Sequence, residues 1–162
     1  MVKLKSSSVG RTDLLQSIAR VIMQWQDATQ EFDESVGNKL GLIAAERRCL
    51  GALTDGEKPA GVLAQASGLT PAAATAMIDR LEKRGFVERR RDSDDRRKVF
   101  VSMTSPARDM LWRFYGPIAE DGEVFFHDFS DAELAVIDRF VGGALSIQQK
   151  HIDRIRDDTG QS

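Results

Sequence analysis

The segment 59–104 carries the signals that most restrict how this chain can fold. Pro59 suits the first turn of a short helix, because its missing N–H costs nothing there, and Gly68 is a suitable stop. Thr70 then supplies an N-cap, the proline after it takes the first helical position, and this second helix should end at Gly85. Two short helices joined by a tight turn form a helix-turn-helix.

Each predicted helix has an inward and an outward face. The inward residues are expected to be Val62, Leu63 and Ala66 in the first helix and Ala74, Met77, Ile78 and Leu81 in the second. The outward face of the second helix starts with small residues and ends with basic ones: Ala72, Ala73, Thr75, Ala76, Arg80 and Lys83. Small residues allow close approach to the floor of a DNA groove, and basic side chains bind phosphates. This face is the predicted recognition surface.

A hairpin is predicted directly after the second helix. Phe86 and Val87 open one strand, and in the next strand Val99, Val101 and Met103 alternate with Lys98, Phe100 and Ser102. The charged sequence RRRDSDDRR, at 89–97, lies between them. A charged hairpin tip is usually only solvated, but the arginines of a wing can enter the minor groove, whose negative potential attracts them. The position after a helix-turn-helix favours the wing.

A long helix is predicted before this segment. Mostly apolar residues recur every three or four positions over 12–36 and form one stripe: Leu15, Ile18, Ile22, Trp25, Thr29, Phe32 and Val36. Gly37 and Gly41 are expected to break this helix. A shorter helix should follow over about 43–53, with Ala45, Cys49, Leu50 and Leu53 on one side.

Two more helices are predicted after the hairpin. Ser105 and Pro106 indicate an N-cap and first turn, followed by the inward residues Ala107, Met110, Leu111, Phe114 and Ile118, with Gly116 and Pro117 expected to kink or break the helix. Ser130 and Glu133 form a capping box that starts the last helix. Its stripe runs through Leu134, Ile137, Val141, Ala144, Gln148, Ile152 and Ile155. The stripes at both ends of the chain need a partner surface, which a two-fold dimer supplies.

Composition excludes several classes of protein. No apolar run approaches the roughly 20 residues of a membrane span, and the N-terminus lacks the apolar core of a signal peptide, so we expect a cytoplasmic protein with no membrane partner. Cys49 is the single cysteine, and His127 and His151 are the two histidines, so no metal and no cofactor are predicted. The chain has no Ser-His-Asp arrangement and no phosphate-binding loop, so an enzyme is not predicted.

The charges are segregated, although the formal net charge is only −2. Residues 1–78 carry a net charge of zero, residues 79–98 carry +3 and residues 99–162 carry −5. A local basic excess on an acidic protein can direct one face towards a polyanion. Double-stranded DNA is therefore the expected partner of the helix-turn-helix and its hairpin.

A longer motif spans the hairpin. Asp95, Arg97, Val101, Met103 and Thr104 fit the pattern Asp, any residue, Arg, three residues, Val, any residue, an apolar residue, Thr. With LEKRGFVER at 81–89, this resembles the MarR family of bacterial winged helix-turn-helix transcriptional regulators, over most of the chain. The resemblance implies a mainly α fold with a small β-wing in one domain, 1–162. A winged helix-turn-helix lobe would occupy 42–104, with dimerisation helices at 1–41 and 105–162.

The resemblance also implies a homodimer that binds a palindromic operator, most often as a repressor. Arg97 would be the minor-groove arginine and Asp95 the carboxylate that orients it. The predicted DNA-binding residues are Thr70, Ala72, Ala73, Thr75, Ala76, Arg80, Lys83, Arg91, Asp95, Arg96 and Arg97. Many relatives have a long polar or basic residue where this chain has Ala76. We therefore expect specificity to depend on Thr75, on contacts with thymine methyl groups and on DNA shape.

Two alternatives stay open at the level of the sequence. A winged helix can serve as a protein-interaction module that does not bind DNA. Cys49 could make the protein a redox-sensing regulator, although a thiol on an apolar stripe is usually inert. The resemblance further implies a small aromatic or phenolic effector, for which Trp25, Arg47, Arg48 and Trp112 are the candidate binding residues, although aromatic residues on helical stripes more often form ordinary core.

Overall fold

The structure, a computed structural model, describes residues 10–91 and 99–159. The elements in chain order are α1 (Arg11–Leu40), α2 (Ala44–Ala52), β1 (Lys58–Pro59), α3 (Ala60–Ser67), α4 (Pro71–Lys83), β2 (Val87–Arg91), β3 (Val99–Met103), α5 (Ser105–Phe126) and α6 (Asp131–Thr159). The chain divides into two compact units, Met1–Leu111 and Trp112–Ser162. The predicted fold class, mainly α with a small sheet, is confirmed. The predicted lobe boundaries at 42 and 104 stay a prediction.

The helix-turn-helix consists of α3 and α4 and forms as predicted. Gly68 ends α3 in a left-handed conformation, with φ of +68°, which an L side chain rarely adopts. Two residues later, the Thr70 hydroxyl accepts a hydrogen bond from the Ala73 N–H at 3.3 Å and caps α4. The buried face of α4 is the predicted one, formed by Ala74, Met77, Ile78 and Leu81.

The wing is a three-stranded antiparallel sheet in the order β1-β3-β2. Val87 pairs with Met103, and Arg89 pairs with Val101. Two predictions need correction here. The first three arginines of the charged sequence belong to β2, because they pair with β3, and Pro59 lies in β1 and at the N-cap of α3 rather than in its first turn. The strand β1 was not predicted, because two residues are too few to show an alternating pattern.

The core of the first unit lies between α2, α3, α4 and the sheet. Its fully or almost fully buried members include Leu50, Leu53, Leu63, Met77, Leu81, Val87 and Val101. The inward face of α3 differs from the prediction and consists of Leu63, Ala64 and Ser67, while Val62 and Ala66 are exposed. Because α3 packs against both α2 and α4, its buried face is the one that meets both, about one residue step (~100°) from the predicted face.

The helix α5 also departs from the prediction. Its N-cap is Thr104 rather than Ser105, since the Thr104 hydroxyl accepts a hydrogen bond from the Ala107 N–H at 3.3 Å. Met110 and Ile118 are exposed, not inward. The helix does not break at Pro117, and the preceding Gly116 helps to explain this, because it lacks the Cβ that would crowd the proline ring.

The last helix begins as predicted, with a complete capping box. The Ser130 N–H donates to a Glu133 carboxylate oxygen at 2.9 Å, and the Glu133 N–H donates to the Ser130 hydroxyl oxygen at 3.4 Å. The Ser130 hydroxyl also donates to that carboxylate, and these hydrogen bonds lower the pKa of Glu133. Within the described parts of the chain, no helix is both long enough and apolar enough to cross a membrane.

Gly37 does not end α1 as predicted; the helix continues to Leu40 and ends at the left-handed Gly41. Gly37 is buried, and a Cβ at this position would lie 2.9 Å from the Leu42 carbonyl oxygen and would also collide with the Arg47 side chain. The glycine is therefore needed for the close approach between α1 and the loop to α2, not for a turn.

We expect Gly37→Ala to destabilise the protein by about 1–3 kcal/mol, because overpacked sites must move backbone to relieve the clash. Gly51→Ala is the matched control: Gly51 is also helical, but a Cβ there would have no atom within 4 Å. It should stabilise α2 by roughly 0.5–1 kcal/mol. Urea unfolding at a fixed protein concentration measures both changes, and equal effects of the two substitutions would contradict the packing argument.

Candidate nucleic-acid interface

The first turns of α4 present a surface of small side chains. Thr70, Ala72, Ala73, Thr75 and Ala76 are all exposed there. The Thr75 hydroxyl donates its hydrogen to the Pro71 carbonyl oxygen at 2.9 Å, so towards a base edge it can only accept a hydrogen bond or present its methyl group. Such a surface suits close contact with a groove and with thymine methyl groups. The geometry agrees with the predicted recognition surface, whose role in binding DNA stays a proposal.

The C-terminal half of α4 carries a network of charges that was not predicted from the sequence. Glu46, at the start of α2, is only 4% exposed. Its carboxylate lies 3.6 Å from the Arg80 Nε and 3.6 Å from an Arg84 guanidinium nitrogen, and it accepts a hydrogen bond from the Ile43 N–H at 3.1 Å. A buried carboxylate needs such partners, because an unpaired buried charge is strongly unfavourable. Arg80, a predicted phosphate contact, is thus held from behind while half of its side chain stays exposed.

Arg84 makes further contacts with the end of α1. Its two terminal nitrogens donate to the Gly41 carbonyl at 3.0 Å and to the Leu40 carbonyl at 2.7 Å. Its guanidinium also lies over the Phe86 ring, 4.9 Å from the centroid. The last carbonyls of a helix have no partners within the helix, and a cation at this end is favourable. Arg84 is therefore a structural residue, although it belongs to the basic segment 79–98.

Arg89 joins the wing to α4. From β2 its guanidinium pairs with the Asp79 carboxylate at 2.5 Å and with the Glu82 carboxylate at 2.7 Å. It also donates to the Thr75 carbonyl oxygen at 3.4 Å. Three contacts between one strand residue and one helix fix how the wing stands relative to the recognition surface. The sequence offered one signal for the two ion pairs: acidic residues three positions apart on α4, followed by a basic strand.

Arg90 points to the other side of β2 and connects β2 to the residue before β1. It forms two hydrogen bonds with the Glu57 carboxylate, at 2.6 and 3.2 Å, and its guanidinium lies 5.4 Å from the centroid of the Phe100 ring. The bidentate geometry is the one that best suits an arginine and a carboxylate. The base of the wing is thereby braced on both of its faces.

The remaining predicted contacts divide into two groups. Lys83 is exposed in the last turn of α4, where it is available to a phosphate. Asp95, Arg96 and Arg97 lie outside the described residues, as does the side chain of Arg91, whose backbone belongs to β2. Their predicted roles at the wing tip stay predictions.

The candidate effector residues occupy separate surroundings. Trp25, on α1, is 63% exposed, and Trp112, in the second unit, is 59% exposed, so neither is ordinary core in the protomer. The Arg47 guanidinium donates to the Leu42 carbonyl at 3.3 Å, and the Arg48 guanidinium donates to the Ser67 carbonyl at 2.8 Å. Both arginines therefore have structural roles in the first unit and keep further N–H groups for an anion.

Cys49 has the properties of an unreactive thiol. Its side chain is fully buried in the core of the first unit. Burial, with a smaller contribution from the negative charge of Glu46, raises the pKa of the thiol to about 11. The thiolate is the reactive form, so both effects disfavour oxidation. Across residues 10–91 and 99–159, no group of His, Cys, Asp and Glu side chains is arranged to hold a metal ion.

We expect native Cys49 to react with a disulfide reagent at least about a hundredfold more slowly at pH 8 than the unfolded chain does, because the thiol is both buried and protonated. The rate at which the reagent's own thiol is displaced, followed with and without guanidinium, measures this difference. Ala76→Cys, which adds an exposed thiol on α4, is the control and should release one equivalent rapidly in the native state. Rapid modification of the unchanged chain would revive the redox hypothesis.

Comparison with known proteins agrees with this geometry. The model of the MarR family matches residues 54–99, which run from the end of α2 through the helix-turn-helix to the start of β3. An uncharacterised HTH-type transcriptional regulator of Bacillus subtilis, YcgE, is 27% identical over 152 residues, covering 93% of this chain and 99% of that protein. The HTH-type transcriptional repressor YetL of the same organism is 29% identical over 80 residues, covering 49% of this chain and 48% of that protein.

A solved structure shows the same fold. Wild-type MarR of E. coli, in its apo form, superposes with a TM-score of 0.54 at 20% identity, covering 78% of this chain and 96% of that one. The winged helix-turn-helix of α3, α4 and the sheet, the match to the family model and the similarity to YcgE over nearly its whole length agree with one another. The chain is therefore similar to the MarR family of winged helix-turn-helix transcriptional regulators, whose model it matches over residues 54–99 and whose fold it shares.

Proposed function

We propose that the protein is a homodimeric repressor that binds a palindromic operator and that a small aromatic or phenolic effector changes its affinity for DNA. The observation that carries the proposal is the exposed apolar stripe of α1. Leu14, Leu15, Ile18, Val21 and Trp25 are each 44–63% exposed in the protomer. At about 25 cal/mol per Å², covering such a stripe is strongly favourable.

The second unit has the same property. Along α6, apolar residues at helical spacing are left open to solvent: Val141, Leu145, Ile152 and Ile155. In a two-fold dimer, each apolar face of one protomer can pack against an apolar face of the other. A single two-fold axis can therefore cover the open faces of both α1 and α6. Most of the stability of a helix in a protein comes from packing of its amphipathic face, so the open apolar faces of α1 and α6 favour a dimer.

A two-fold dimer presents two copies of α4, one to each half of a duplex site. Since the two readers are identical and related by a two-fold axis, the preferred site is an inverted repeat with half-sites about one helical turn apart. Repression follows the likeness to YetL, whose name describes it as a repressor. The exposed indoles of Trp25 and Trp112 are the candidate surfaces for an aromatic effector, and Arg47 and Arg48 for its anionic group.

Selection of bound sequences from a random duplex pool tests the proposal. The expected result is an enriched inverted repeat bound by two chains, with release by at least one member of a set of aromatic carboxylates and phenols. Enrichment of a single half-site bound by one chain would contradict the dimer. Enrichment without release by any member of the set would contradict the effector but not the DNA-binding dimer.

The wing arginine separates DNA binding from a protein-interaction module. Arg97→Ala should weaken binding to the selected operator by tenfold or more, because a minor-groove arginine contributes roughly 1–3 kcal/mol. Arg108→Ala, an exposed arginine in the first turn of α5, is the control and should leave the affinity within about twofold. Fluorescence anisotropy with labelled duplex measures both. Unchanged affinity in Arg97→Ala, with a normal melting curve, would show that Arg97 is not a DNA contact, whereas a selection that enriches no sequence would favour the protein-interaction module.

A further inference from the structure

Three helix ends of the first unit meet at one pair of side chains. Arg84 is the C-cap residue of α4, Leu40 and Gly41 form the end of α1, and Glu46 lies in the first turn of α2. Arg84 donates to the carbonyl oxygens of Leu40 and Gly41 at 2.7 and 3.0 Å, and one of the same nitrogens lies 3.6 Å from the Glu46 carboxylate. In the sequence, Arg84 is 43 positions from Gly41 and 44 positions from Leu40.

The chemistry of this cluster requires an arginine. The planar guanidinium places two N–H groups on two neighbouring carbonyl oxygens while it faces a carboxylate, and a lysine ammonium has no such fork. Glu46 is fixed in turn, because it is buried and accepts a hydrogen bond from the Ile43 N–H at 3.1 Å. The guanidinium is held from its face by the Phe86 ring. Arg84 and Glu46 are therefore each held in one orientation by several contacts.

The cluster joins two elements with different tasks. α1 carries the exposed apolar stripe, and α4 carries the recognition surface. We propose that Arg84, oriented by Glu46, is a positioning residue for DNA binding that fixes α4 to the end of α1 and so sets the distance between the two recognition helices of the dimer. This inference rests on the proposed dimeric function. Arg84 does not need to touch DNA to act in this way.

The first test measures the distance without DNA. A spin label on Ala76→Cys, exposed on α4, reports the separation of the two recognition helices by pulsed dipolar spectroscopy, and mass spectrometry confirms that the buried Cys49 stays unlabelled. We expect a narrow distance distribution in the otherwise unchanged protein and at least a twofold broader one in Arg84→Gln. Lys39→Gln removes an equal charge from an exposed residue in the last turn of α1 and is the matched control.

The second test uses unlabelled protein and operators whose half-sites are moved apart or together by one base pair. The unchanged protein and Lys39→Gln should prefer one spacing by tenfold or more, and Arg84→Gln should reduce that preference at least fivefold. Arg84→Lys keeps the positive charge beside Glu46, which helps to preserve the fold. Its spacing preference should lie between those of the unchanged protein and Arg84→Gln. A melting curve for each variant shows that it is folded.

The outcomes are distinct. A broad distribution together with a lost spacing preference supports the inference. A narrow distribution, or a loss of affinity that is equal at all spacings, means that Arg84 only stabilises the lobe and overturns the inference while the proposed function stands. If the unchanged protein gives no distance between labels and binds no inverted repeat, the proposed dimer is wrong and the inference fails with it.

Discussion

Ile18→Asp should convert the protein to a monomer and lower its affinity for the operator by about two to four orders of magnitude. Ile18 is 44% exposed near the middle of the apolar stripe of α1. A carboxylate placed there would be buried without a partner in a symmetric interface, and two copies would meet across the axis. Without the dimer, the second half-site is no longer bound intramolecularly, and the gain from effective concentration is lost.

The matched control is Gln16→Asp, which introduces the same charge on the opposite side of α1, about 200° away around the helix. It should leave both the mass and the affinity nearly unchanged. Analytical ultracentrifugation over a range of concentrations gives the mass, and anisotropy with the selected operator gives the affinity. A dimer of unchanged stability in Ile18→Asp would show that α1 does not form the interface.

Leu81→Ala should destabilise the protein by about 2–5 kcal/mol, because it leaves a cavity in a core that cannot collapse around it. The Leu81 side chain is completely buried in the cluster that joins α2, α4 and the sheet. Its carbonyl oxygen also accepts a hydrogen bond from the Phe86 N–H at 2.9 Å, where the chain turns from α4 towards β2. Loss of packing here therefore loosens both the recognition helix and the start of the wing.

Lys83→Ala, an exposed position on the same helix turn, should change the free energy of unfolding by no more than about 0.5 kcal/mol. Urea unfolding of the two variants must be compared at one protomer concentration, because the stability of a dimer depends on it. Similar destabilisation by both substitutions would mean that the response comes from α4 as a whole rather than from the cavity.

The recognition helix could be predicted in detail because its determinants are local. An N-cap at Thr70, a proline in the first turn and four apolar residues at helical spacing suffice to place α4 and its buried face. The wing was only partly predictable. β3 alternates clearly, whereas β1 is two residues long and is defined by pairing with β3, a contact across more than 40 residues.

Other errors have the same physical origin. Gly37 resembles a helix stop in the sequence, but it lies inside α1 because the Leu42 carbonyl and the Arg47 side chain come close to it. Glu46 resembles a solvent-exposed residue, and only the fold brings Arg80 and Arg84 to it. Local patterns determine which segments are helices, whereas the role of each charged residue depends on tertiary neighbours.

The braced arginines change what a phosphate backbone meets on this protein. In the sequence, the segment 79–98 has a basic excess of +3, and all of its arginines look equally available to DNA phosphates. In the fold, Arg89 pairs with Asp79 and Glu82, and Arg90 pairs with Glu57. These ion pairs neutralise carboxylates that would otherwise repel DNA. Because Arg89 and Arg90 are already paired, they should contribute little to the release of counterions when DNA binds. The salt dependence of binding should therefore reflect fewer cations than the segment contains.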